Sequence, residues 1–540
     1  MSLSGVDRGR AFAIRAGEWL ACAILPIVVI ALPVTAHLVS PLIALALAGL
    51  VGVLLALHET FTVPATLLGA YLFQNAVVAT ISPALDGPDD FNRVRAYNFV
   101  LTVAIWLTLV TVAWVNWRTL PRTVRQLLVA TFIPLIFVGG YLVVGLLIDP
   151  RSAVVYLRNV VTPTLLFQAC LVAAVLSPGA LQRTLLPIGA LAIAYGYAEL
   201  LWRDGLYGLL NMNSYLALRA QQEGDAAYWV AQMQETGRVM RSMHDAFRVT
   251  LFNTPLLSDF DIELYRLLGP NSHSISYAYA LTFFSLMFVC QRKFLMGLAA
   301  VPLILFIGSK GAVIALVLVI VGCSAGGYLR RPVLMGTFVV VVAAYVGAAL
   351  VIGMQIGDYH VLGFWGGVNG FLQNPIGHGL GAGGNLSAAT TRIDWSHAQQ
   401  VGATGRAVES AVGVLLFQMG VASVVVLGGY AVIARASWRA AAAAQERTSR
   451  VAAFGILVLL GNAVLQEEAL FAPLAMGSFV IAAALRIGAA EAVRGAAPVT
   501  SRSVGREASI PKAALGLRAV RPRGLLARRV PLGEQLQPRT

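Results

Sequence analysis

Three cations and one carboxylate stand where apolar runs of this chain meet polar segments. They are Arg158 in Tyr156-Leu157-Arg158-Asn159, Arg266 in Arg266-Leu267-Leu268-Gly269-Pro270-Asn271, Lys310 in Gly308-Ser309-Lys310-Gly311-Ala312, and Glu409, which heads the run beginning at Ser410. Cations so placed suit a diphosphate, because arginine donates through a two-pronged fork and lysine adds a point charge. They can also stabilise negative charge on a departing diphosphate without a divalent metal. A carboxylate within reach then takes the proton from an attacking hydroxyl. With a lipid-linked sugar as donor, the chemistry is glycosyl transfer with polyprenyl diphosphate leaving. A single displacement of this kind inverts the anomeric centre.

Each residue also has a plainer reading. Arg158 fits a snorkelling side chain at a span's start, and Arg266 fits a surface ion pair with Asp261 or Glu263. Glu409 fits an acid at a helix N-terminus, with Arg406 as its i−3 partner. Lys310 is the hardest to explain structurally, since it interrupts a continuous apolar stretch from Phe294 to Val321, and embedded ionisable groups are functional by default. Around Glu409 lies a glycine-dense polar segment, Asp358 to Gly420. It contains Asn374-Pro375-Ile376-Gly377-His378-Gly379-Leu380-Gly381, then Arg392, Asp394, His397 and Arg406. A loop of that length between spans usually functions or is disordered. Asn374, His378 and Arg406 are its candidate substrate-binding residues, with His378 also a candidate secondary acid or base.

Metal chemistry is the weaker alternative. Asp259-Phe260-Asp261 is a lone acidic pair, Asp86, Asp89 and Asp90 crowd an early loop, and His360, His378 and His397 have no compact ligand spacing. The expectation is no metal and no cofactor.

The elements that must position these residues are membrane spans. Of 540 residues, 58% are hydrophobic and 12% charged, roughly half the charged fraction of soluble proteins. The apolar runs approach the ~20 residues a spanning helix needs. Fourteen are read: 19–37, 41–57, 62–82, 98–116, 127–148, 159–177, 184–203, 273–290, 294–308, 311–328, 333–354, 410–434, 451–466 and 470–488. The run 62–82, with Gln74 and Asn75, is the least apolar, and a re-entrant segment is the alternative there. Arginine and lysine collect in alternate loops (Arg118, Arg122, Arg125; Arg183; Arg292, Lys293; Arg330, Arg331; Arg435, Arg439, Arg447, Arg450), which places both termini in the cytoplasm and the candidate site outside. No cleavable signal peptide is read.

Two external loops are long, 204–272 and 355–409. The first has apolar residues at roughly helical spacing between Gln221 and Val249, which predicts one or two helices at the membrane surface. Residues 1–488 thus form one transmembrane domain, and 489–540 a basic, disordered tail. Much of the net charge of +14 lies after residue 485 and fits topological bias and anionic lipid heads rather than nucleic acid. Cys22, Cys170, Cys290 and Cys323 lie in or beside apolar spans, and no disulfide is needed.

At these residues the chain resembles the O-antigen ligase and polysaccharide polymerase superfamily of bacterial inner membranes. Gly308-Ser309-Lys310-Gly311-Ala312 is similar to that family's small-Ser-Arg-Gly-Ala turn, with lysine in place of arginine. Asn374-Pro375-Ile376-Gly377-His378-Gly379-Leu380-Gly381 resembles its Asn-Pro-x-x-Gly-x-Gly-x-Gly loop. Glu409 and the run to Gly420 resemble its His- or Glu-headed apolar helix, and Arg266 with Gly269-Pro270-Asn271 its arginine-bearing entry to the span after the first long loop.

The resemblance implies an all-helical, GT-C-like membrane enzyme that inverts and needs no metal. Its donor would be undecaprenyl-diphosphate-linked glycan at the periplasmic face, its acceptor another glycan, and its neighbours membrane lipids and other polysaccharide assembly and export proteins. Arg266 and Lys310 would hold the diphosphate and Glu409 would be the base. Lysine lacks the planar fork, which leaves Arg158 or Arg406 to share the diphosphate. Ligases acting on lipid A core carry His at the place of Glu409, which tilts the expectation toward a polymerase. A ligase delivering glycan to a lipid or protein is the alternative within the class, and a lipid-linked oligosaccharide flippase the alternative outside it. A flippase suits many spans, but no pair of matched halves is evident.

Overall fold

A computed structural model of the protein describes residues 5–177, 181–223, 248–250, 263–387, 393–444 and 447–496. The fold is helical. Among the described residues the one exception is a short antiparallel pair, Arg248–Thr250 against Glu263–Tyr265. The expected surface helices between Gln221 and Val249, the Asp259-Phe260-Asp261 pair, Arg392 and the basic tail lie largely or wholly outside the described residues.

Ten of the described helices are long and apolar enough to cross a membrane. Three further apolar helices, Ser274–Cys290, Phe294–Ile307 and Lys310–Ala325, are shorter, and Arg447–Asn462 has 16 residues. At 1.5 Å per residue, the 14 residues of Phe294–Ile307 rise about 21 Å, short of the ~30 Å hydrocarbon layer. The fourteen apolar runs all fall on helices, but length alone supports ten as spans.

The helices divide into lipid-facing and interior ones. Only 11% of the Arg331–Ile356 window is buried, against 83% for Pro150–Leu176 and 78% each for Val63–Ala84 and Pro473–Arg494. Val339, Val340, Val351 and Ile352 stand exposed on the first, as a bilayer-facing surface requires. Inside, Phe283 and Phe479 pack edge to face at 5.3 Å between ring centroids. The polar residues that marked 62–82 as doubtful are explained by this interior position. Gln74 Nε2 donates to the Val94 carbonyl at 3.2 Å and Asn75 Nδ2 donates to the Asn271 carbonyl, so neither amide meets lipid.

One boundary differs from the sequence reading in a way that moves a candidate residue. The helix expected to begin at 159 begins at Pro150. Proline is favoured at a first helical position, and Asp149 caps it by accepting the Ser152 N–H at 3.2 Å. Arg158 is therefore two turns inside a helix, not at its start.

Helices are interrupted at one end of the bundle. The run from Ala411 breaks at Gly420, passes through Gly420–Ala422 and resumes as Ser423–Ala444. The last run opens with the short helix Glu467–Phe471 and a π-helical turn at Pro473–Gly477 before Ser478–Ala496. Such turns are frequent at functional sites. At the opposite end Arg450, in the helix Arg447–Asn462, donates to the Cys323 carbonyl of the helix Lys310–Ala325 at 3.5 Å.

Candidate active site at one end of the helix bundle

The glycine-rich loop is a splint that carries the site rather than its chemistry. Asn374 Nδ2 donates to the Gly377 carbonyl at 2.8 Å. The loop's backbone N–H groups then reach outward: His378 to Phe417 O at 3.0 Å, Gly379 to Gln418 O at 3.0 Å, Leu380 to Tyr141 O at 3.2 Å and Gly384 to Ala407 O at 2.7 Å. This threading demands glycine. Gly381 and Gly384 sit at φ +87° and +96°, and an added Cβ would lie 2.5 Å from Ala153 N and 1.9 Å from Tyr156 Oη respectively. His378 stacks on Phe417 with 4.2 Å between centroids, and its Nδ1 donates to the Phe417 carbonyl at 2.9 Å. Asn374 and His378 are the residues expected to bind substrate, and here the Asn374 amide and His378 Nδ1 bond within the loop and to Phe417 respectively.

The splint delivers Asn385 between two glutamates. Asn385 Oδ1 accepts the Glu409 N–H at 2.9 Å, and its own N–H donates to Glu467 Oε2 at 3.0 Å. Tyr156 Oη donates to Glu467 Oε1 at 2.7 Å and accepts the Leu386 N–H at 3.0 Å. Glu409 is not the first-turn acid of a helix. Ser410 is the cap, its Oγ accepting the Gly413 N–H at 3.0 Å, and Glu409 lies just outside at φ +59°, a left-handed conformation uncommon for a residue with a side chain.

The Glu409 carboxylate faces His360, with Oε2 3.3 Å from Nδ1 and side chains 30% and 35% exposed. His360 reaches it because the helix Tyr359–Gln373 crosses the 404–413 segment closely. A Cβ at Gly367 would stand 2.3 Å from the Gly413 carbonyl. Arg406, the expected partner, instead donates to the Ala382 carbonyl at 3.0 Å. Burial would lower the His360 pKa, but Glu409, with Asp358 and Glu468 behind it, raises it overall. Burial would raise that of Glu409, but His360 and Asn385 hold it below the usual carboxylate value. Burial pushes Glu467 up to about 8 against the bonds from Asn385 and Tyr156. Glu468 is also raised, by burial and by Glu409, and its Oε2 is buried without a hydrogen-bond partner.

The arginines gather beside this acidic group. Arg266 Nε donates to the Ile307 carbonyl at 3.1 Å, which ties it to the turn bearing Lys310. Burial lowers its pKa while the charge of Glu468 opposes that shift. The Arg266 segment is clamped by Glu199, a buried carboxylate that accepts the N–H groups of Leu268 at 2.8 Å and Gly269 at 2.9 Å and the Tyr207 hydroxyl at 2.9 Å. His273 caps the next helix, its Nδ1 accepting from Ser276 N at 3.3 Å and facing Ser276 Oγ at 3.0 Å. Burial and the charges of Arg219, Arg266 and Arg95 push its pKa down to about 3. Arg95 is the cation whose charge reaches Arg158.

Lys310 is exposed at the first position of its helix and makes no ion pair or hydrogen bond among the described residues. Its neighbour Gly311 is held by Asn462 Nδ2, which donates to the Gly311 carbonyl at 2.9 Å, and Gly311 abuts Gln466, next to Glu467. The structure thus brings Arg266 to the Lys310 turn and within electrostatic reach of Glu468, and joins Glu409 to His360. Among the described residues it makes no hydrogen bond or ion pair between Glu409 and Arg158, Arg266, Lys310 or Arg406. The early acidic loop serves a different contact, since Asp90 Oδ1 lies 2.8 Å from His37 Nε2, whose Nδ1 meets Tyr97 Oη at 2.6 Å.

Sequence reasoning missed Glu467 and Glu468, although two adjacent carboxylates in a three-residue gap between apolar runs are a readable signal. It also missed the pairing role of His360 and the bridging role of Asn385, which follow only from packing. Among proteins of known family or curated function, the chain matches no family model and no curated sequence.

Proposed function

We propose that the protein is a polysaccharide polymerase of the O-antigen ligase and polymerase type, acting at the periplasmic face of a bacterial inner membrane. In this reading it has a GT-C-like body of fourteen spans, the shorter helices included, with both termini in the cytoplasm. It transfers a growing glycan from undecaprenyl diphosphate onto the sugar end of another lipid-linked repeat unit, without a metal. Arg266, Arg158 and Lys310 neutralise the leaving diphosphate, and the Glu409–His360 pair accepts the proton of the attacking hydroxyl.

The observation that carries this reading is the meeting, at one end of the bundle, of the Glu409–His360 pair with a carboxylate, Glu468, that the charge of Arg266 also reaches. Cation and base on neighbouring elements are what a displacement with an anionic leaving group needs. The helices are also broken around Gly420 and Pro473 at the same end. A ligase remains the second reading, favoured by a histidine at the side of Glu409 where ligases of this type use histidine.

The test is polymerisation in vitro from purified lipid-linked repeat units. Glu409→Gln and Lys310→Ala should each remove long product while the protein stays folded, and full activity in both rejects the site. Product length separates the readings within the class: a polymerase variant stops at one unit, whereas a ligase leaves repeat length unchanged. A flippase would move intact lipid-linked glycan between leaflets with no new glycosidic bond.

A further inference from the structure

We propose that His360 Nε2 is the general base that takes the proton of the acceptor hydroxyl, and that Glu409 is the positioning carboxylate that holds the imidazole by Nδ1. This assignment rests on the glycosyl-transfer reading above and divides the roles within the pair. The geometry carries it. His360 Nδ1 is buried, forms no aligned hydrogen bond, and has Glu409 Oε2 at ion-pair distance, 3.3 Å. Nε2 makes no hydrogen bond among the described residues, on a side chain that is 35% exposed. A carboxylate on one ring nitrogen fixes the tautomer and leaves the other nitrogen as a directed acceptor.

Glu409 is built for holding more than for reaching. Its backbone is locked in a left-handed conformation, its N–H is tied to Asn385, and the next residue caps a helix. These constraints fix the backbone from which the carboxylate reaches His360. His360 is the second residue of its helix, where Asp358 accepts its backbone N–H at 3.0 Å. The charged groups facing it are Glu409 from the segment before Ala411, Glu468 from the short helix Glu467–Phe471 and Asp358 from its own cap. The neighbouring helix Trp395–Val401 presents Trp395 to Tyr359 at 4.6 Å rather than a charge. All three facing charges are negative, so the surroundings favour a ring that gains a proton.

In the step, the acceptor oxygen forms the new bond to the anomeric carbon while the bond from that carbon to the diphosphate oxygen breaks. Its electron pair leaves with the lipid diphosphate. The hydroxyl proton passes to His360 Nε2, giving an imidazolium paired with ionised Glu409. No oxidant, reductant or further reactant is needed.

The experiment measures transfer from lipid-linked donor units across pH for wild type, His360→Gln, Glu409→Gln and Glu409→Asp. Alongside it, NMR of histidine-labelled protein follows the His360 titration. His360→Gln should lower turnover by about 10²–10⁴-fold at every pH. Glu409→Gln should slow transfer enough to remove long product yet less than His360→Gln does, with the acid limb of the profile and the His360 titration both moved to lower pH, and Glu409→Asp should recover part of the rate and of the shift. Two outcomes overturn the assignment while wild type is active: His360→Gln within a few-fold of wild type, or a His360 titration unmoved by Glu409→Gln. A wild type that forms no glycosidic bond from any lipid-linked donor overturns the glycosyl-transfer reading itself.

Discussion

His273 and His360 both stand at helix starts at the same end of the molecule, and their surroundings have opposite sign. His273 faces Arg219, Arg266 and Arg95, and its pKa is pushed down to about 3 by burial and those charges. His360 faces Glu409, Asp358 and Glu468, and its pKa is raised although burial alone would lower it. One residue type is thus held neutral in one half of the site and drawn toward the cationic form in the other. The halves touch electrostatically through Arg266 and Glu468. The lesson is that this end of the bundle separates a cationic side, suited to an anionic leaving group, from an anionic side, suited to a proton acceptor. Pairs of titratable groups pushed apart in this way mark acid–base assignments.

The comparison is broken most severely at Arg266, which bridges the halves. Arg266→Ala removes both its bond to the Ile307 carbonyl and the cation opposite Glu468. Transfer from a lipid diphosphate donor should fall about 10²–10³-fold, the scale for loss of a group that stabilises developing charge. Steady-state rates with purified donor check this, and an unchanged rate removes the cationic side from the mechanism. Next in size is Glu199→Ala. It strands the buried N–H groups of Leu268 and Gly269, at about 1–3 kcal/mol for each unsatisfied group. Thermal unfolding in detergent should show a loss of roughly 3 kcal/mol, with activity falling as the Arg266 segment loosens.

The two histidines should also give opposite pH dependences of stability. The folded pKa of His273, about 3, lies below its unfolded value of 6.5. Between those values the unfolded chain binds more protons, so stability from this residue is full above 6.5 and falls as pH drops toward 3. His360, raised when folded, contributes stability that is full below 6.5 and is lost as pH rises through its folded pKa. Glu467 behaves like His360: its contribution is present below 4.5 and is lost as pH rises toward about 8. His273→Asn keeps a good helix cap and removes the first effect. At pH 5 the variant should recover at most about 2 kcal/mol relative to wild type, and melting temperature against pH for both proteins measures it. Parallel curves would show that the arginines do not hold His273 neutral.

Much of this arrangement was legible in the chain. Glu409, Arg266 and Lys310 stand out because charge amid apolar runs has few explanations, and the apolar runs all became helices. Other features were visible but easily misread. Asp149-Pro150 is a helix-start signature, and weighing it would have put Arg158 inside its helix. The glycine loop reads as a binding loop from composition, yet its N–H groups are taken up by neighbouring carbonyls and its glycines by close approaches to Ala153 and Tyr156. What could not be read was pairing between distant segments. Glu409 meets His360 only because Gly367 lets a helix cross the 404–413 segment, and Glu467 meets Tyr156 and Asn385 across three elements. Spacing in sequence carries no trace of those contacts.

The smallest predicted effect tests whether the anionic side is as selective as it looks. Arg406 is three residues before Glu409 and is the cation that local spacing would pair with it. In the fold it is exposed and donates to the Ala382 carbonyl, while Glu409 turns to His360. If His360 is set by Glu409, Asp358 and Glu468, then Arg406→Ala should leave its titration in place. An exposed side chain with a single carbonyl contact should also cost within about 0.5 kcal/mol of stability. NMR of labelled histidine in that variant reads the first and thermal unfolding the second. A His360 pKa that rises on Arg406→Ala would mean that Arg406 also reaches the pair, and the boundary between the two halves would have to be redrawn to include it.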